Sequence, residues 1–344
     1  MFCSFHLVGT HEVDENEILD LIANPPVPGK VYSNAVTALA RVAAERDDVG
    51  GEFVEPLERL LNRPSVKTEI ALRALRHVAS NDPESVAEVH EDVVSCVEID
   101  ADDHAVNRAA TGCSVELAYA DSGLLMEYTP LFGSLLDSED ETVRRNCVYV
   151  LTCVAKEHPE EVLPAVDDVI SSLDRHGDPD GSKSSLVGRI SRHYPDATVE
   201  AVPVLQDILE GSGKKNTKKK AKVKANALGA LADIAKEHPD EVVDSLERAE
   251  ELLEHQDGTV RYNTCGLIEE VSKQKPREVE NLSPKLIGGL DDDHQGVRLK
   301  TAFVLGEIKA DDAVERLKEL KDGDPSIEVR RLAEKAVWRI EEDV

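Results

Sequence analysis

Seven lysines fall within eleven residues: Lys214, Lys215, Lys218, Lys219, Lys220, Lys222 and Lys224. A polycation this dense suits phosphate groups or an acidic partner surface, since each ammonium neutralises an anion and releases its counterions. Two plainer readings stand beside it: a solvated loop, or one folded back onto the chain's own carboxylates. No aromatic residue interleaves the lysines, so the run offers no platform for base stacking. The pair Gly213-Lys214 is no phosphate-binding P-loop: Ile208 stands where the first glycine is required, and Lys215 follows where Ser or Thr should.

Asn34, Asn146, Asn226 and Asn263 are a second set, because all four occupy one position of a repeated segment. A carboxamide both donates and accepts, so such a ladder could pair with the backbone of an extended peptide. It could equally join neighbouring repeats or cap a turn. Catalytic and metal chemistry finds less support. His11-Glu12 and His90-Glu91 stand alone, and Asp102-Asp103-His104 and Asp292-Asp293-His294 sit in turns far apart in the chain. His158 and His238 precede Pro159 and Pro239, where a helix C-terminus favours a polar or cationic residue. Asp178-Pro-Asp-Gly181 reads as a β-turn. No His-Glu-x-x-His, Gly-x-Ser-x-Gly or Asp-x-Asp-x-Asp-Gly spacing occurs. The expectation is a chain without catalytic, metal or cofactor site and without a small-molecule substrate.

The elements carrying these residues must be helices. Hydrophobic residues make up 41 % of the 344 but aromatics only 3 %, so the core is built from Ala, Val, Leu and Ile. Small aliphatic residues suit close-packed helices better than sheets. Lys and Arg total 40 against 69 Asp and Glu, a formal −29, and outside the lysine run the chain is more acidic still. Such a surface is typical of proteins from salt-loving archaea, where multimolar KCl screens self-repulsion. Cys3, Cys96, Cys113, Cys147, Cys153 and Cys265 form no Cys-x-x-Cys pair, and most fall at apolar helical positions. Free cysteines of that kind imply a reducing, cytoplasmic setting. No apolar run approaches the ~18 residues of a membrane helix, so no membrane association is expected. Residues 1–14 read as a disordered tail without the basic start of a signal peptide.

Sliding the chain on itself exposes a repeat. Val143-Arg-Arg-Asn-Cys-Val-Tyr-Val-Leu-Thr-Cys-Val-Ala overlays segments starting at Val31, Val106, Val223, Val260, Val297 and Val329. Three of the separations are 37 residues, and two are close to twice that, at 75 and 80. The copies missing from those gaps are residues 67–79 and the degenerate stretch Ser182–Tyr194. Apart from Ser114, Thr264 and Thr301, apolar residues recur at offsets 0, 4, 7, 8 and 11 of these copies, one face of a helix with 3.6 residues per turn. Pro83, Pro159, Pro239 and Pro276 each open a Pro-x-x-Val ahead of such a copy, and Pro195 opens a looser version. Proline at a first helical turn sacrifices no hydrogen bond, so these mark a preceding first helix.

A unit of ~37 residues with two helices, repeated about nine times, is an α-solenoid. The marks Asp137…Val143-Arg144 and Asp291…Val297-Arg298 resemble HEAT repeats, and Val329-Arg330-Arg331-Leu-Ala-Glu-Lys-Ala-Val resembles the short HEAT-like repeat of phycobilisome lyases. The resemblance implies an all-α, right-handed armadillo-like superhelix of about nine antiparallel helix pairs over residues 15–344, with the lysine-rich stretch 211–222 as an inserted loop. In armadillo proteins, asparagine ladders hold an extended peptide along the groove, although later in their helix than here. HEAT-like DNA glycosylases use aromatics on the concave face, whereas Trp338 lies in the last helix. Arg144, Lys224, Arg261, Arg298 and Arg330, one residue into each copy, are expected to pair with turn carboxylates such as Asp140 and Asp257. The function expected is a non-catalytic scaffold or adaptor for a protein or peptide, the alternative a nucleic-acid-associated factor contacting phosphates through Lys214–Lys224.

Overall fold

The computed structural model describes residues 51–61, 68–99, 104–211 and 218–342. The tail, the copy at Val31 with Asn34, and Lys214 and Lys215 lie outside the described residues. Every regular element described is helical, with no strand among the described residues. The chain divides into two compact units, one up to Ala165 and one from Val166 onward.

In the first unit the second helices of the repeat are α1 (Thr68–Asn81), α2 (Ala105–Ala120) and α3 (Glu141–Glu157), and each packs on the next. In the second unit they are α4 (Ser182–Ser191), α5 (Lys218–Ala235), α6 (Gly258–Gln274), α7 (Gln295–Glu307) and α8 (Ile327–Glu341), again packed in chain order. Their apolar faces are those the periodicity marks. Offsets 4, 7, 8 and 11 are buried in α3 as Cys147, Val150, Leu151 and Val154, and in α5 as Ala227, Leu228 beside them, Ala230, Leu231 and Ile234. The copy at 67–79 is also in register, burying Ala71, Ala74, Leu75 and Val78.

The degenerate stretch is not in the register its first residue suggests. Counting from Ser182 would place Arg189 and His193 in the core, yet both are exposed. The buried set is Lys183, Leu186, Val187 and Ile190, so this copy starts three residues earlier, at Pro179. A three-residue slip keeps two apolar matches, Leu186 and Ile190, and Lys183 disguises the true one. Its ammonium donates to the carbonyls of Ser172 (2.8 Å) and Gly177 (3.0 Å), the end of helix Val166–His176, which makes burying it tolerable. Gly181 precedes α4 at φ +79°, a left-handed conformation that glycine adopts without a Cβ penalty.

The first helices are broken rather than continuous. Each Pro-x-x-Val is a separate turn whose valine is fully buried, as with Val86, Val162, Val242 and Val279. In three repeats a proline, Pro130, Pro203 or Pro284, stands in the first turn of the segment that follows the break. Its missing N–H is one a helix start leaves unpaired anyway, so the break falls there.

Candidate partner-binding face

In five repeats the turn between first and second helix is fastened by the residue at offset 1. Arg144 donates to the carbonyls of Ser138 (2.6 Å) and Glu139 (2.9 Å), Arg261 to His255 (2.8 Å), Arg298 to Asp292 (2.8 Å) and Arg330 to Asp324 (2.5 Å). Lys224 reaches the carbonyl of Leu209, which also accepts from Arg248. These are the carbonyls a helix C-terminus leaves without partners. The expected pairing with carboxylates of the same turn is therefore corrected. Asp140 and Asp257 instead cap their own helices, accepting from Thr142 and Val143 and from Thr259 and Val260. The principal carboxylate partners come from the next repeat: Asp292 for Arg261, at 2.6 and 2.8 Å, and Asp324 for Arg298, at 2.7 and 3.2 Å. Arg108 reaches forward to Asp140 in the same way, at 2.6 Å.

The asparagines point backward. Asn226 Nδ2 donates to the carbonyl of Gly181 and Asn263 Nδ2 to that of Ala225, both at 2.7 Å, each in the preceding second helix or its cap. Asn146 reaches the hydroxyl of Thr111 (3.0 Å) and the carbonyl of Arg108 (3.5 Å) and is itself 6 % exposed. Asn226 and Asn263 are half-buried, and no described residue donates to either Oδ1.

Between α4, α5 and the start of α6 lies an open groove of about 250 Å³. Gly188, Gly229, Ala225 and Ala230 leave its floor bare, and Asn226 and Asn263 edge it. Arg189 and Arg192, three residues apart on α4, stand exposed along one side. Arg189 has no hydrogen bond or ion pair among the described residues, while Arg192 approaches Asp233 at 3.8 Å. Asp233 is held more closely by Lys236, at 2.5 Å. The groove therefore offers guanidinium donors, free amide oxygens as acceptors, and a floor low enough for a main chain to approach. Sequence reasoning found Asn226 and Asn263 but missed Arg189 and Arg192, because the copy that carries them is too degenerate to show which of its side chains face outward.

The lysine run is helical where it is described. Lys218, Lys219, Lys220, Lys222 and Lys224 form the first two turns of α5, whereas 211–222 was expected as a loop. Lys and Ala propagate helix well, and Ala221 and Ala225, two residues either side of Val223, are both buried. Lys218, Lys219, Lys220 and Lys222 are exposed. Burial would raise the Asp180 carboxyl, but its hydrogen bonds from Ser182 and the charges of Lys219 and Lys222 outweigh that and hold it below its usual range. Burial, reinforced by Arg248 and Lys220, lowers the Lys224 ammonium.

No cluster of three His, Cys, Asp or Glu among the described residues is placed to hold a metal ion. Burial pushes the thiols up, Cys96 and Cys265 to about 11 and Cys113 to about 12, so they are poor nucleophiles. No helix among the described residues is long and apolar enough to cross a membrane.

The chain is similar in fold to an engineered protein whose crystal structure was solved by the Northeast Structural Genomics Consortium. The TM-score is 0.75 at 20 % identity, covering 95 % of this chain and 89 % of that one. At this identity the likeness speaks to fold alone, an all-helical repeat architecture. No family model matches the chain, and no curated protein matches it.

Proposed function

We propose that this protein is a non-catalytic scaffold or adaptor of the HEAT type. Its roughly nine helix pairs would form a right-handed superhelix, and the face left by its second helices would hold an extended segment of a protein partner. The supporting observation is the groove between α4 and α5. There, Arg189 and the Oδ1 atoms of Asn226 and Asn263, none of which has a partner among the described residues, flank a floor of glycine and alanine. Extended peptides present alternating N–H and C=O groups, and a groove with both donors and acceptors satisfies them along the main chain. The acidic composition fits a cytoplasm rich in KCl, where screening makes such short-range bonds count for more than the net charge.

The test is capture from the source cell's lysate at high KCl, comparing the wild-type chain with Arg189→Glu/Arg192→Glu after both are shown to fold. A discrete protein retained by the wild type, resistant to nuclease and lost from the variant, supports the reading. An identical set of captured proteins from both chains overturns it. A second reading, a nucleic-acid-associated factor, draws on the exposed Lys218, Lys219, Lys220 and Lys222 at the start of α5. Capture that vanishes with nuclease favours that reading.

A further inference from the structure

In α8 the residues Ile327, Arg331, Glu334 and Trp338 share one stripe, spanning about 60° of the helix at 100° per residue. All four are exposed, and Trp338 and Ile327, at 59 % and 47 %, are the two large hydrophobic side chains of the second unit that stand out in solvent. Trp338 occupies the position at which other second helices accept their successor. In α7 this position is Gly306, where a Cβ would come within 2.9 Å of Ala336 of α8. An indole at that position would hold a neighbour farther off than Gly306 does.

The stripe is complementary to itself. In an antiparallel pair of helices related by a two-fold axis midway between Leu332 and Ala333, Ile327 of one copy faces Trp338 of the other. The same axis sets Arg331 against Glu334. Both contacts occur twice, as an isologous interface requires. Arg331 has no hydrogen bond or ion pair among the described residues, and Glu334 meets only the half-exposed Lys321, at 3.2 Å. We infer that a second copy of this chain docks antiparallel along α8, seating Trp338 on Ile327 and pairing Arg331 with Glu334. One helix face is a small interface, so the dimer is weak and forms as concentration rises. High KCl assists by screening the repulsion between two chains of formal charge −29.

Sedimentation velocity of the full chain over a roughly hundredfold dilution series at fixed high KCl tests this, with circular dichroism to confirm folding. Trp338 is the single tryptophan, so its emission should move to shorter wavelength as the dimer forms. The wild type is expected to associate, while Trp338→Ser, Arg331→Glu and Glu334→Arg stay monomeric. Arg331→Glu/Glu334→Arg should associate again, because the exchange restores opposite charges across the axis. An equimolar mixture of the two single-charge variants should form a mixed dimer that neither forms alone. A wild type that stays monomeric throughout overturns the inference. So does association that survives Arg331→Glu, or that the double exchange fails to restore.

Discussion

The side-chain amide of Asn263 grips the main-chain carbonyl of Ala225, one repeat back, at 2.7 Å. The bond joins two successive second helices, so its loss loosens a joint, although the Ala225 carbonyl, inside α5, keeps its helical partner. Asn263→Ala is expected to destabilise the second unit by about 0.5–1.5 kcal/mol, read as a lower urea midpoint. An unchanged midpoint would mean the bond contributes nothing net.

Arg298 and Asp324 form the most enclosed ion pair across a joint, with the carboxylate 2 % exposed. Burial by itself would raise the Asp324 carboxyl. The hydrogen bonds from Arg298 and Ser326, with the charges of Arg298 and Arg330, outweigh it and hold the group below its usual range. A depressed carboxylate contributes stability that is fully present above its unfolded value of about 3.9 and is lost as pH falls through the lower folded value. Acid should therefore weaken the protein below about pH 4. Asp324→Asn should flatten that part of the stability profile while lowering stability at neutral pH. A variant profile parallel to the wild type at low pH would refute the assignment.

Gly306 lies directly beneath α8. A side chain there would press Cβ to 2.9 Å from both Cα and Cβ of Ala336, which belong to a packed helix and not to a flexible tip. Gly306→Val should cost about 1–3 kcal/mol through overpacking. Faster amide exchange in α7 and α8, with α4 unaffected, would show that the strain is local.

The exposed lysines of α5 predict a salt dependence. If the chain binds nucleic acid through Lys218, Lys219, Lys220 and Lys222, replacing all four by Gln should reduce the slope of log affinity against log salt by about 4. The same variant should leave capture of a protein partner in the α4–α5 groove intact. A slope that does not change removes the phosphate-binding reading.

Cys113 is buried, with its thiol pushed up to about 12, and Cys147 is raised further by complete burial. Both should resist a disulfide reagent in the native chain and react at once in urea. Rapid native modification of either, located by peptide mapping, would show that the second helices of the first unit open far more readily than their packing implies.

The register of α3, α5, α6, α7 and α8 was legible because apolar residues return at offsets 7, 8 and 11 and a small or aliphatic residue at offset 4, which is Thr264 in α6 and Thr301 in α7. At α4 the same logic misled, since Lys183 takes a core position, where it donates to the carbonyls of Ser172 and Gly177 at the end of the preceding helix. Pro-x-x-Val announced the first helices but not their break, which depends on how the buried valine and the following segment pack. The asparagine pattern was visible as a recurrence, yet its direction was not. Nothing in the spacing of Asn226 says that Nδ2 turns toward Gly181 and leaves Oδ1 for the groove. Arg189 and Arg192 needed the corrected register before they could be placed on the surface.

Asn226, Asn263 and the offset-1 arginines take hold of main-chain oxygens, a chemical group every residue possesses. The gripping side of each joint is therefore written in one side chain, while the gripped side is indifferent to what stands there. Ala225 is held through its carbonyl, not its buried methyl. A repeat that is duplicated or transplanted therefore brings most of its joint with it: its asparagine asks its neighbour only for a main-chain oxygen, whereas its arginine still needs a carboxylate there, as Arg261 needs Asp292 and Arg298 needs Asp324.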